Sequence, residues 1–172
     1  MSPLIHQTIL RDNDTELRAT AYSTGDFRHL AEDVDTLGIA IKLSPLGRLE
    51  AFAVASPERV VYHKIEEGNT TRQGLQGSSL AALFSDAAPI VSAFAMPRLA
   101  LHLRRELGLH VSGVDLSTLF VASKAPWSPA DFVEKRVQYD VDRFAILALW
   151  YPTENPDEAL RRLCLRAWLS AV

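Results

Sequence analysis

Three β signals in immediate succession, separated by breaks too short to hold another element, constrain this chain more than any other feature. Residues 37–43 (LGIAIKL), 49–55 (LEAFAVA) and 59–65 (RVVYHKI) are rich in apolar, β-branched and aromatic side chains. Between them stand Ser44-Pro45-Leu46-Gly47 and Ser56-Pro57-Glu58, both of hairpin length and turn chemistry. Strands joined so closely run antiparallel, because a parallel return needs a crossover of about a dozen residues or more. A meander is therefore the expected centre of the fold.

After the meander the pattern alternates. Residues 68–79 (GNTTRQGLQGSS) predict an exposed loop, which lacks the Gly-Lys-Ser/Thr ending of a phosphate loop. Residues 80–84 are helical in character, 89–93 form a short apolar strand, and 96–108 form a helix with Leu99, Leu103 and Leu107 on one face, stopped by Gly108. A strand over 111–115 and a short helical piece over 116–122 follow. Ser128 is placed to cap a helix carrying Pro129 in its first turn. The apolar segment 143–151 ends before Pro152, and 156–172 is a last helix. Upstream, 4–10 predicts a strand or pairing arm, and 26–34 a short helix starting near Thr24 or Asp26. The expected fold is an α/β domain over 35–172, with a three-stranded antiparallel meander plus two parallel strands in one mixed sheet flanked by helices, and 1–34 as an N-terminal arm.

Composition narrows the function classes. The 172 residues are 48% apolar and carry 18 basic against 21 acidic side chains, a net charge of −3. That excludes a disordered regulator and gives bulk charge no role in nucleic-acid binding, though a local basic patch fits inside such a total. The only cysteine is Cys164, so a disulfide framework is excluded, and with no signal peptide in MSPLIHQTILRDNDTEL the expected setting is intracellular, nuclear or cytoplasmic. No stretch is long and apolar enough for a membrane span. His6, His29, His63, His102 and His110 show no zinc-ligand spacing, and neither a Gly-x-Ser-x-Gly elbow nor a kinase signature is present. No cofactor is expected. Cys164 lies in an apolar helix, as a small core residue does.

The order of elements from residue 37 to 151 resembles the 3′–5′ exonuclease superfamily of four metal-binding carboxylates, in its ribonuclease D and Werner-type branch. The resemblance covers about two-thirds of the chain and implies a ribonuclease H-like fold. Family members open with an apolar–Asp-x-Glu strand, a turn, and a strand ending in Ala-Ser. Here Ile39-Ala40-Ile41-Lys42-Leu43-Ser44 precedes Pro45-Leu46-Gly47-Arg48 and a strand ending in Ala55-Ser56, with Lys42 and Ser44 at the Asp-x-Glu positions. The second motif, an apolar strand, Gly-His-Asn and a later aspartate, corresponds to Ile90–Leu99 and puts Arg98 at the aspartate. The third, Tyr-x-x-x-Asp, corresponds to Tyr139-Asp140-Val141-Asp142-Arg143, so Arg143 replaces the aspartate.

In active members the resemblance implies four carboxylates, about −4, holding two divalent metals; Lys42, Ser44, Arg98 and Arg143 carry about +3. Such a set repels a divalent cation. The expectation is a pseudoenzyme with no catalytic residues and no metal, serving as a protein-interaction or scaffold module in an RNA-processing or RNA-silencing complex. The alternative is a residual metal-dependent 3′–5′ exonuclease on RNA or DNA, with Asp35, Asp115 and Asp142 as its carboxylates. Two readings of the cations stand side by side. In one, Lys42, Arg98 and Arg143 bind nucleic-acid phosphate, with Trp127 (beside Phe132, Lys124, Lys135 and Arg136) stacking on a base. In the other, they pair with Asp35, Asp140 or Asp142. The last helix has two apolar stripes. One holds Leu160, Leu163, Cys164, Ala167, Trp168 and Ala171, and the other Leu165, Leu169 and Val172. A protein partner or homodimer is therefore expected on Leu165, Trp168, Leu169 and Val172.

Overall fold

A computed structural model describes residues 4–10, 13–21, 27–30, 34–65, 79–84, 89–119, 128–136 and 141–172. Strands β1 (Leu4–Leu10) and β2 (Asn13–Ala21) form an antiparallel hairpin, followed by the meander β3 (Thr36–Leu43), β4 (Leu49–Ala55) and β5 (Arg59–Lys64). The turns make the meander. Gly47 adopts φ 74°, the left-handed conformation that glycine reaches without penalty, while its N–H donates to Ser44 O at 2.9 Å. At the second turn Ser56 N donates to Arg59 O at 2.8 Å around Pro57-Glu58.

Strands β6 (Ile90–Ala93) and β7 (Val114–Asp115) add in parallel beside β3. The described sheet has the order β1-β2-β5-β4-β3-β6-β7. Its β3 to β7 portion is the expected meander plus two parallel strands. The segment expected as a separate arm supplies β1 and β2, and β2 continues the sheet by pairing parallel with β5. Of the helix expected over 26–34, the described part is a single 3₁₀ turn, Arg28–Leu30. The strand expected over 111–115 pairs only at Val114 and Asp115, and the described helical piece after it is the 3₁₀ turn Leu116–Thr118. Loop residues 68–78 lie outside the described residues.

Five α-helices are described: α1 (Ser79–Leu83), α2 (Met96–His102), α3 (Pro129–Arg136), α4 (Arg143–Ala148) and α5 (Pro156–Ala171). A π-helical turn, Leu103–Leu107, extends α2 to Gly108, which takes φ 70° as the C-cap. Ser128 and Asp131 open α3 reciprocally: Asp131 N donates to Ser128 Oγ and Ser128 N to Asp131 Oδ2, both at 3.2 Å. Asn155 opens α5, accepting from Asp157 N at 3.0 Å and Glu158 N at 3.2 Å, with Pro156 in the first turn.

The pleat sorts side chains by size. Ala40, Ala51, Ala53 and Ala55 belong to the cluster around α3, α4 and α5, whereas Ile39, Phe52 and Val54 join the cluster with Leu80, Met96, Leu99 and Leu103. One face is thus paved with alanine, and α5 lies directly on it. At Gly38 the approach is so close that a Cβ would stand 1.9 Å from the Ala167 carbonyl oxygen. A helix seated this deeply, with α3 and α4 in the same cluster, buries both of its apolar stripes. Leu165 and Leu169 are 0% exposed, Trp168 is buried with its Nε1 donating to Pro57 O at 2.9 Å, and Val172 is half-buried against the same core. The partner surface expected on Leu165, Trp168, Leu169 and Val172 is therefore corrected. Alanines and a glycine opposite the helix made room for a second stripe that a bulkier sheet face would have left outside. Phe132 is also core, edge-on to Phe94 with ring centroids 5.5 Å apart, so it is no stacking platform.

Candidate functional site

The end of β3, the turn from β6 into α2, and the segment joining α4 to α5 enclose a cleft of about 700 Å³. The end of β3 and Ser44 just beyond it line the cleft, with Ala40 and Lys42, two apart, on one face of the strand. Arg98 reaches it from the first turn of α2, and Arg162 and Arg166 from successive turns of α5. Phe94, Trp150 and Tyr151 supply aromatic walls. Phe94 and Trp150 pack edge-on at 5.4 Å, while Tyr151 is 66% exposed.

Two of the sequence-derived cations meet here and one does not. Lys42 and Arg98 line the cleft; Arg143, the first residue of α4, is absent from its lining and turns to α3, where Nη2 donates to Asp131 Oδ1 at 2.6 Å and Nη1 to Glu134. Lys42 Nζ lies 2.8 Å from Glu50 Oε2 across the β3–β4 pair. The pairing reading is thus right in kind for Lys42 and Arg143, but the described carboxylates they meet are Glu50, Asp131 and Glu134, not Asp35 or Asp142. Asp131 is held below the usual carboxylate range, first by the Ser128 hydroxyl and then by Arg143. Among the described residues no carboxylate pairs with Arg98. Trp127, Tyr139 and Asp140 lie outside the described residues.

Arg162 and Arg166 are the residues that sequence reading missed. Their spacing of four, with Ser170 four further on, was the available signal. Arg166 is deeply enclosed: one Nη donates to Ile41 O at 2.9 Å, while its Nε is buried without a hydrogen-bond partner among the described residues. Burial pulls its guanidinium down to about 10. Arg162 is engaged, donating from Nε to Glu158 at 2.8 Å and from Nη1 to Tyr151 O at 2.9 Å. At the rim, Ala95 takes φ 57° and ψ 47°, the only positive φ outside glycine among the described residues. Such strain, roughly 1–2 kcal/mol per residue, gathers at functional turns.

The residues do not suit a divalent metal. Ala40 and Lys42 on this face of β3, and Ser44 just past its end, lack a carboxylate, so moving the Asp-x-Glu frame by two residues changes nothing. Arg98 and Arg143 add positive charge at the other two positions. The alternative carboxylates are used locally. Asp142 caps α4 by accepting from Ala145 N at 3.0 Å, and Asp115 accepts from Ser117 N and Oγ at 3.1 and 2.6 Å. Among the described residues no three His, Cys, Asp or Glu side chains are grouped to hold a metal ion.

Solved structures supply the comparison that sequence does not. No family profile matches the chain, and no curated protein matches it. The Aedes aegypti Nibbler EXO domain matches with a TM-score of 0.56 and 15% identity over 81% of this chain and 75% of its own. Trypanosoma brucei RNase D matches with a TM-score of 0.56 and 16% identity over 84% of this chain. The fold is that of a 3′–5′ exonuclease domain. The chain spans 59% of the RNase D chain, and 57% of the same enzyme in its complex with RNA U12, where the TM-score is 0.54. Among the described residues no helix is long and apolar enough to cross a membrane.

Proposed function

We propose that this chain is a catalytically inactive exonuclease-like domain that works by binding, as an interaction module in an assembly that processes or silences RNA. One observation carries the reading. On an exonuclease fold, the four positions that correspond to the metal-holding carboxylates of the motifs carry Lys42, Ser44, Arg98 and Arg143. Lys42 and Ser44 offer no anionic ligand, and Arg98, which lines the cleft without a carboxylate partner among the described residues, repels a divalent cation there. The same cations favour a polyanion. The RNA U12 complex belongs to T. brucei RNase D; RNA as ligand of this chain is part of the proposal.

Fluorescence anisotropy of labelled single-stranded RNA in EDTA tests the binding. RNA binds without metal, and replacing Lys42, Arg98 and Arg143 together by alanine weakens it at least tenfold, about 1.4 kcal/mol. Unchanged affinity in that triple variant contradicts the RNA part of the reading.

A further inference from the structure

We infer that the outward side of α2 and the turn between β3 and β4 dock an acidic segment of a partner protein, one whose carboxylates are interspersed with leucine-type side chains. The inference rests on the reading of the chain as an interaction module and deepens it by naming the surface and the chemistry of what it takes.

Charge comes first. Arg98, Arg104 and Arg105 are exposed on α2 and its π-helical extension, and Arg48 is exposed on the turn. Residues 96–105 contain no carboxylate, and the next residue, Glu106, is used inward: it accepts from Leu49 N at 2.7 Å and pairs with Arg105 at 2.8 Å. Among the described residues no carboxylate pairs with Arg48, Arg98 or Arg104. A chain with a net charge of −3 thus keeps these cations uncompensated in two adjoining elements. All are arginine, whose planar and weakly hydrated head suits interface ion pairs better than the lysine ammonium.

The turn and the helix form one surface. Arg105 Nη2 donates to Gly47 O at 3.4 Å, and Glu106 ties the helix to Leu49 at the start of β4. Apolar side chains stand out of this surface. Leu101 is 61% exposed, three residues after Arg98 and four before Arg105, and Leu46 is 86% exposed in the turn. A single exposed leucine is ordinary; two of them among unpaired arginines supply both the apolar anchors and the charged rim of an interface.

Residue type selects protein over nucleic acid. Residues 96–107 include no Phe, Tyr or Trp ring on which a base could stack. Leucines gain by burial against other aliphatic side chains, and the arginine forks accept carboxylates in two-pronged pairs.

Selection from a displayed library of random short peptides tests the inference, with the strongest binder then synthesised and titrated by fluorescence anisotropy. The selected peptides are rich in Asp and Glu together with Leu, Ile or Met. Binding weakens at least tenfold in Arg104→Glu and in Leu101→Ser, both at exposed positions and both checked for folding by circular dichroism. Arg59→Glu, at the opposite end of the meander, stays within about twofold. Hydrogen-exchange protection on binding falls on residues 44–48 and 96–107. Peptides without an acidic excess, equal binding by polyglutamate of the same length, or unchanged affinity in Leu101→Ser overturns the inference. A tenfold loss of single-stranded RNA affinity in Leu101→Ser assigns the surface to RNA and overturns it too. Failure of every peptide to bind, with RNA left full-length in magnesium, overturns the docking surface and leaves the inactive reading standing. Peptide binding together with metal-dependent cleavage supports the surface and overturns the inactive reading.

Discussion

Gly38→Ala is the substitution whose outcome follows most directly from the packing of α5 on β3. A Cβ at Gly38 would lie 1.9 Å from Ala167 O, 2.5 Å from Ala171 N and 2.7 Å from the Ser170 carbonyl carbon. All three are backbone atoms of one helix, so no rotamer change relieves the clash; α5 must retreat by about 1.5 Å or more to regain ordinary contact. Retreat strains the alanine-paved interface, at about 1–3 kcal/mol for overpacking. It also breaks the hydrogen bonds from Arg166 to Ile41 O and from Ser92 Oγ to Ser170 O, at about 1 kcal/mol each. The sum, roughly 3–5 kcal/mol, is a large part of a typical domain's stability and lowers Tm by about 10 °C or more. Far-UV circular dichroism melts measure it, with Gly47→Ala as the comparison. Gly47 has φ 74° and open space around a Cβ, so alanine there costs only the left-handed strain of about 1–2 kcal/mol. A Gly38→Ala melt within about 2 °C of the parent, or a smaller loss than at Gly47, would refute the close approach of helix and strand.

Other outcomes follow from named contacts. Glu106 accepts from Leu49 N at 2.7 Å and from Arg105 at 2.8 Å. Although burial pushes its carboxyl up, these donors and His102 hold it below its ordinary value. Its stabilisation is thus present above about pH 5 and lost as pH falls through the lowered folded value. Glu106→Gln should destabilise by about 1–2 kcal/mol in urea melts at pH 7, with the gap to the parent closing in acid; a gap that stays constant contradicts this. Burial pushes the Cys164 thiol up to about 12. It should therefore resist a thiol-reactive disulfide reagent until the chain unfolds, and fast labelling of the native protein contradicts its core position. The unfolded thiol ionises near pH 8.5, so stability falls from about pH 8.5 towards 10, and less so in Cys164→Ala. Among single alanine variants, RNA affinity should drop most for Arg98, because Glu50 already compensates Lys42 and Asp131 with Glu134 compensates Arg143; equal losses at all three contradict this.

Short-range signals carried the sheet. Turn residues at 44–47 and 56–58 set the meander, and Ser128 and Gly108 mark helix ends that the structure uses. What escaped was the depth at which α5 sits. Two apolar stripes on one helix show that both need cover, but whether the cover is another chain or the helix's own sheet depends on Gly38, Ala40, Ala51, Ala53 and Ala55 lying opposite. That register is a long-range property, invisible in a local pattern. Arg162 and Arg166 escaped for the same reason, because only the seating of α5 makes them part of a cleft wall. β2 was missed because its residues 13–21 (NDTELRATA) lack the apolar alternation that marks a half-buried strand.

The absence of a usable metal site is the claim on which the rest stands, and turnover tests it directly. The purified chain is incubated with end-labelled single-stranded RNA and DNA in magnesium and in manganese, and the products are resolved by length. The predicted result is full-length substrate in every lane, indistinguishable from lanes with EDTA. Metal-dependent shortening from the 3′ end that vanishes in Asp142→Asn would contradict it, returning the aspartate now assigned to the α4 cap to a metal-binding role.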